Sequence, residues 1–103
     1  MALPELTADQ RAAHLLKAAE TRTARAAVRA ELKAGAVSVA DLLERTDDPV
    51  IGKMRVSYLL ESLPRLGKVR VADMMHQLQI APSRRVGGLG ERQRSVLLAR
   101  LHE

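Results

Sequence analysis

Apolar residues recur along this chain at three- and four-residue spacing, the period of a helix, and not in the alternation that a half-buried strand requires. The first such stretch opens at Thr7 and Gln10, a capping box, and runs through alanines to Gly35. It predicts one long helix over residues 8 to 34. The apolar side of that helix is thin, chiefly Leu15, Leu16, Ala19, Val28 and Leu32, so its first turns are expected to project from the body. Ser38 caps a second helix, VADLLER, which ends in the acidic TDDP turn. Asp48 and Pro49 then offer another cap and a first helical position, predicting a short helical turn at 49 to 52. Val56, Leu59, Leu60 and Leu63 line one side of a third helix, and Val69, Ala72, Met75 and Leu78 one side of a fourth near 68 to 79; all are expected in the core. Beyond Pro82 the chain loosens at Gly87, Gly88 and Gly90 and closes with an amphipathic helix bearing Val96, Leu97 and Leu101. The β-branched runs are too short for strands, and the turns lack the Asn-Gly and Asp-Gly dipeptides of hairpins. The pattern therefore predicts an all-α fold of five or six helices, a single domain over residues 1–103 in which helix 8–34 precedes a helical body at 38–103.

The chain has 103 residues, enough for one core without staples, and it contains no cysteine, which excludes disulfides and thiolate metal sites. The start MALPELTADQ lacks the basic-then-apolar order of a secretory signal, and no stretch approaches the about 20 apolar residues of a membrane span. A soluble, cytoplasmic protein is expected.

Charge sharpens the picture. Seventeen Lys and Arg oppose twelve Asp and Glu, a formal +5, and thirteen of the seventeen are Arg. The first fifty residues carry seven basic and eight acidic side chains, the remainder ten and four, so the whole excess lies in the second half. Such a field favours a polyanion, nucleic acid or an anionic membrane, over the alternative of a merely solvated basic surface. Tyr58 is the only aromatic residue, which argues against base-stacking single-strand binders and against a membrane-lying helix with aromatic anchors.

Catalytic and metal chemistry find no support. His14, His76 and His102 are scattered, with no second ligand at metal spacing; Asp47 and Asp48 read as a turn cap; GGLG lacks the Lys-Ser/Thr of a nucleotide loop. No enzyme, metal, cofactor or small-molecule substrate is expected.

The basic residues, by contrast, gather at turns and helix starts. In LPRLGKVRVADMM, Pro64 ends one helix and Gly67 leaves room for another backbone, while Arg65, Lys68 and Arg70 crowd the start of the next, where the macrodipole is already positive. An anion relieves that conflict, because helix-start amides and neighbouring cations grip a phosphate together. Lys53 and Arg55 precede the third helix, and Arg84, Arg85, Arg92 and Arg94 flank the glycine loop. Along the long helix Arg22, Arg25, Arg29 and Lys33 form a basic stripe, readable either as a solvated face or as a second phosphate contact.

LPRLGKVRVADMM followed by IAPSRRVGGLGERQR, with ALPELTADQRAA before and GKMRVSYLLESLP between, resembles the actinobacterial integration host factor family, small helical nucleoid-associated proteins, over essentially the whole chain. Its centre, 56–79, is similar to the helix-two-turn-helix element of a small-subunit ribosomal protein and of certain DNA-repair glycosylases. The resemblance implies largely sequence-independent binding of double-stranded DNA through the sugar-phosphate backbone near the minor groove, with changes in DNA shape, topology or compaction, at the nucleoid. It implies a clamp of Pro64, Arg65, Leu66, Gly67, Lys68, Val69 and Arg70, closed by Arg84 and Arg85; Val86 and Gly87 stand where some members carry further basic character. Glycosylase activity is not implied, because those enzymes place a proline directly after the initiator Met, where this chain has Ala2. A ribosome-associated or structured-RNA-binding protein using the same joint is the alternative.

Overall fold

A computed structural model describes residues 7–101. The ALPEL run and His102 lie outside the described residues. In order, the elements are α1 (Ala8–Ala34), α2 (Val39–Leu43), α3 (Val56–Leu60), α4 (Lys68–Gln77), a 3-10 turn at Val86–Gly88, and α5 (Glu91–Leu101). The long helix forms where the capping box places it: the Gln10 amide donates to Thr7 Oγ1 at 3.1 Å, and the Thr7 amide to Gln10 Oε1 at 2.9 Å. It stops at Gly35, whose φ of 77° permits the left-handed turn that returns the Gly35 and Ala36 amides to the last carbonyls. Residues 7–20 are exposed throughout, with Leu15 70 % and Leu16 62 % accessible, so the first turns do project. Only Leu32 of α1 is buried, with Val28 packed beside it.

A second capping box starts α2. The Ser38 amide donates to Asp41 Oδ2 and the Asp41 amide to Ser38 Oγ, both at 3.1 Å. The Ser38 amide, aided by its hydroxyl, holds the Asp41 carboxyl below its ordinary value. In the TDDP turn Asp48 Oδ1 accepts from the amides of Val50 (2.8 Å) and Ile51 (3.1 Å). The turn expected at 49 to 52 exists as one helical hydrogen bond, Gly52 amide to Asp48 carbonyl at 2.8 Å, and does not continue.

The core joins Leu32, Val39, Leu42 and Leu43 to Val56, Leu59 and Leu60 of α3, to α4, and to Leu97 of α5. The expected apolar side of α4 needs correction. Val71, Met74 and Met75 are buried and Leu78 is half-buried, whereas Ala72 is exposed and Val69 is 76 % exposed. Both stripes share Met75 and Leu78 at helical spacing, so periodicity alone did not distinguish them; the entry angle fixed by the preceding turn turns Val71 inward. Leu63 is half-buried, at the margin of the core.

One feature of the body is not helical. The segment before α3 and the segment after Pro82 run antiparallel, joined by the amides of Val56 to Arg84 carbonyl (3.0 Å), Val86 to Met54 carbonyl (2.9 Å) and Gly87 to Gly52 carbonyl (2.9 Å). They make a single bridge, Arg55 with Arg85, and no strand among the described residues. The approach depends on glycine. A Cβ on Gly52 would stand 2.4 Å from the Thr46 carbonyl oxygen, and one on Gly87 3.0 Å from the Gly52 carbonyl oxygen.

Two outcomes follow for stability. Gly52→Ala is expected to destabilise the fold by about 1–3 kcal/mol in urea unfolding, since its clash is with backbone that cannot swing away. Because the folded-state pKa of Asp41 is depressed, its box stabilises above the unfolded carboxylate range and fades as pH falls through the lowered value. Asp41→Ala is expected to flatten that part of the acid limb in a pH series of unfolding midpoints.

Candidate nucleic-acid interface

The joint between α3 and α4 is built by successive tight turns. Leu63 and Leu66 amides donate to the carbonyls of Leu60 and Leu63, each at 3.1 Å, and Pro64 between them ends the helical run. Leu66 packs against the core and fixes the corner, while Pro64, Arg65, Lys68, Val69 and Arg70 are exposed. Gly67 is the N-cap of α4, with φ −98° and ψ 174°, and no side chain caps the helix. Its first internal bond runs from the Val71 amide to the Gly67 carbonyl at 3.0 Å. A Cβ on Gly67 would meet nothing within 4 Å, so neither internal crowding nor backbone conformation demands glycine there. The empty space faces outward, beside an uncapped helix start flanked by cations.

The antiparallel pair presents a second basic surface. Lys53, Arg55, Arg84 and Arg85 are all exposed, and two of their guanidinium groups are held: Arg85 Nη1 donates to the Lys53 carbonyl at 2.9 Å and Arg84 Nη1 to the Gly88 carbonyl at 3.2 Å. Arg22 and Arg25 reach the same place from α1. Together Arg22, Arg25, Lys53, Arg55 and Arg85 line a cleft of about 440 Å³ with Met54 and Tyr58, and no carboxylate is among its lining residues. Arg25 Nε is buried there without a hydrogen-bond partner. Arg55 also lines a groove of about 670 Å³ between α3 and α4 that includes Lys68, Glu61 and His76. Arg55 thus connects the two basic surfaces.

The basic stripe of α1 divides. Arg29 donates from Nε to Ser62 Oγ at 2.6 Å, and its guanidinium carbon lies 4.2 Å from the centroid of the Tyr58 ring. Ser62 in turn donates to the Tyr58 carbonyl at 3.0 Å, so Arg29 ties α1 to the end of α3. Lys33 is exposed in the last turn, about 16 Å along the axis from Arg22. Neither Arg29 nor Lys33 lines the cleft. The convergence of Arg25 with the body has a sequence signal: Thr21, Arg25, Val28 and Leu32 fall on one helical stripe, the side that packs.

Other anticipated residues lie apart from the cleft. Arg70 borders a small depression with Leu66, Asp73 and Arg100, and Arg92 one with Gln77, Gln79 and Gln93. Arg94 is half-buried, its Nε enclosed without a partner. Among the described residues no group of His, Asp and Glu has the arrangement of a metal site.

A family model described as an S13-like H2TH domain matches residues 32–101. Integration host factor of Mycobacterium tuberculosis is 52% identical over 99 residues, covering 95% of this chain and 94% of that one. Integration host factor of Streptomyces coelicolor is 52% identical over 94 residues, covering 90% and 88%. A solved structure of sIHF bound to an 8 bp palindromic DNA superposes with a TM-score of 0.78 at 46% identity, over 82% of this chain and 96% of that chain.

The contrast within the stripe is measurable. Arg29→Met is expected to lower stability by about 1–2 kcal/mol through loss of the cation–π contact and the Ser62 bond, while Arg22→Met leaves the unfolding midpoint unchanged.

Proposed function

Because the chain belongs to the integration host factor family of actinobacteria, we propose that it is a nucleoid-associated, non-enzymatic protein that binds double-stranded DNA through the sugar-phosphate backbone near the minor groove. The observation that carries this reading is a cationic cleft: five Lys and Arg around a lining that holds no carboxylate, one of them, Arg55, shared with the groove in which Lys68 stands at the uncapped start of α4. Phosphates are the groups such a surface neutralises, and phosphate contacts fix register without reading sequence. Binding is accordingly largely indifferent to sequence, and the projecting α1, which delivers Arg22 and Arg25 to the cleft, widens the surface over which the duplex is held and its shape altered. Cytoplasmic location at the nucleoid goes with this partner; among the described residues no helix is long and apolar enough to cross a membrane.

Within this interface Pro64, Arg65, Leu66, Gly67, Lys68, Val69 and Arg70 form the clamp and Lys53, Arg55, Arg84 and Arg85 the adjoining basic wall. Arg92 and Arg94 serve at most its edge, given their separation from the cleft. The structured-RNA reading is not favoured. Tyr58 is the only aromatic residue, and Arg29 lies over its ring, so the surface offers no row of aromatic side chains on which successive unpaired bases could stack.

Salt titration tests the reading. Log affinity for duplex DNA is expected to fall linearly with log salt, and Arg55→Ala or Lys68→Ala each to reduce the slope by about 0.9, equally on unrelated sequences. Arg45→Ala, at an exposed position just before the acidic turn, is expected to change neither slope nor affinity. Equal slopes for the Arg45 and Arg55 variants would count against the interface.

A further inference from the structure

We infer that Val69 reads the sugar: its isopropyl group packs against the deoxyribose next to the clamped phosphate and makes the joint prefer DNA to RNA. This rests on the DNA-binding reading above and adds a selectivity that cations alone do not supply, since the phosphates of DNA and RNA carry the same charge. Val69 is one of three large hydrophobic residues left exposed among the described residues, and at 76 % the most exposed of them. The other two, Leu15 and Leu16, lie on the projecting part of α1, far along the chain from any clamp residue.

Nothing in the fold calls for valine at this position. The core side of α4 is supplied by Val71, Met74 and Met75, and a β-branched side chain on an exposed helix face has lower helix propensity than Glu, Gln, Lys or Arg. Its neighbours, however, are the clamp: Gly67 with open space before it, Lys68 and Arg70 on either side, and an uncapped helix start. A nucleic-acid backbone alternates phosphate with sugar, so a phosphate held at this helix start brings a sugar edge onto the adjacent side chain. Leu66, the other aliphatic side chain of the joint, is packed against the core, which leaves Val69 facing outward.

At C2′ deoxyribose presents only C–H, an apolar surface that an isopropyl group covers with gain. Ribose presents a hydroxyl that donates and accepts, and RNA helices display these hydroxyls along the minor groove. Pressed against Val69, such a hydroxyl loses water and gains no partner, which is unfavourable. The discrimination therefore works by leaving a polar group of the wrong ligand unpaired.

The test compares wild type, Val69→Thr and Val69→Ala on one sequence prepared as duplex DNA and as duplex RNA, at one salt concentration. Threonine keeps the β-branch and supplies a hydroxyl partner, and the exposure of the site lets melting curves verify that all three proteins fold alike. Wild type is expected to prefer DNA. Val69→Thr is expected to shift the RNA-to-DNA affinity ratio toward RNA by about five-fold, the scale of one net hydrogen bond. Val69→Ala is expected to weaken DNA binding by about two-fold and, by letting water back to the 2′-hydroxyl, to strengthen RNA binding, so that its ratio also moves toward RNA. The A-form geometry of RNA penalises every variant alike and cancels when ratios are compared between proteins. A ratio that Val69→Thr leaves within two-fold of wild type overturns the sugar-reading role while the DNA-binding reading stands; failure of wild type to bind DNA overturns both.

Discussion

The architecture depends on one close approach of backbone to backbone. Gly52 lies against the carbonyl of Thr46 at a separation that admits no Cβ, and Gly87 against the carbonyl of Gly52 at one that a Cβ would crowd. Three amide hydrogen bonds then register residues 52–56 against 84–87. This small antiparallel seam does what neither helix propensity nor the thin core does: it brings side chains about thirty positions apart in sequence, Lys53 and Arg55 with Arg84 and Arg85, onto one surface. It also carries Val86 and Leu89 into the core, so that the segment entering α5 is anchored before the helix begins. Buried amides and carbonyls of a loop must find partners, and here each segment supplies them to the other.

Much of this is written locally in the chain. Both capping boxes, at Thr7 with Gln10 and at Ser38 with Asp41, stand where side-chain chemistry places them, and Asp48 receives two amides as a cap does. Gly35 closes α1, and Pro64 with Gly67 separates α3 from α4. The turn at the joint and the cations crowded around it were legible for the same reason, since proline, glycine and cations stand within a few residues of one another. What escaped is non-local. The seam has no alternating pattern because only one residue of each segment forms a bridge, and the glycines that permit it look like ordinary loop residues until the two segments meet. The buried side of α4 was misassigned because two stripes satisfied the same period, and only the turn ahead of the helix selects between them.

The basic stripe of α1 shows how one periodic feature takes two physical roles. Arg29 leaves solvent for an aromatic face and a hydroxyl, interactions that hold a helix to the body without adding a carboxylate near the cleft. One turn earlier Arg25 lies on the same packed side and reaches the cleft, its Nε enclosed without a partner. Had an acidic residue anchored α1 in place of the Tyr58 and Ser62 contacts, it would also have neutralised the neighbouring cations, because unit charges attract over such distances even at partly solvated sites. A cation–π contact avoids that, since the ring is uncharged.

The consequence is a surface in mild electrostatic conflict with itself. Arg22, Arg25, Lys53, Arg55 and Arg85 repel one another around a shared cleft, and the seam and the Arg29 anchor keep them together despite it. Most of these groups are exposed, so solvent screens the repulsion to a modest cost that a small core tolerates. A polyanion removes that cost on arrival and releases its own counterions as well, so the arrangement that slightly weakens the free protein strengthens the bound one. Neutral Tyr58 and Met54 at the floor, in place of acidic residues, are what keep that difference large.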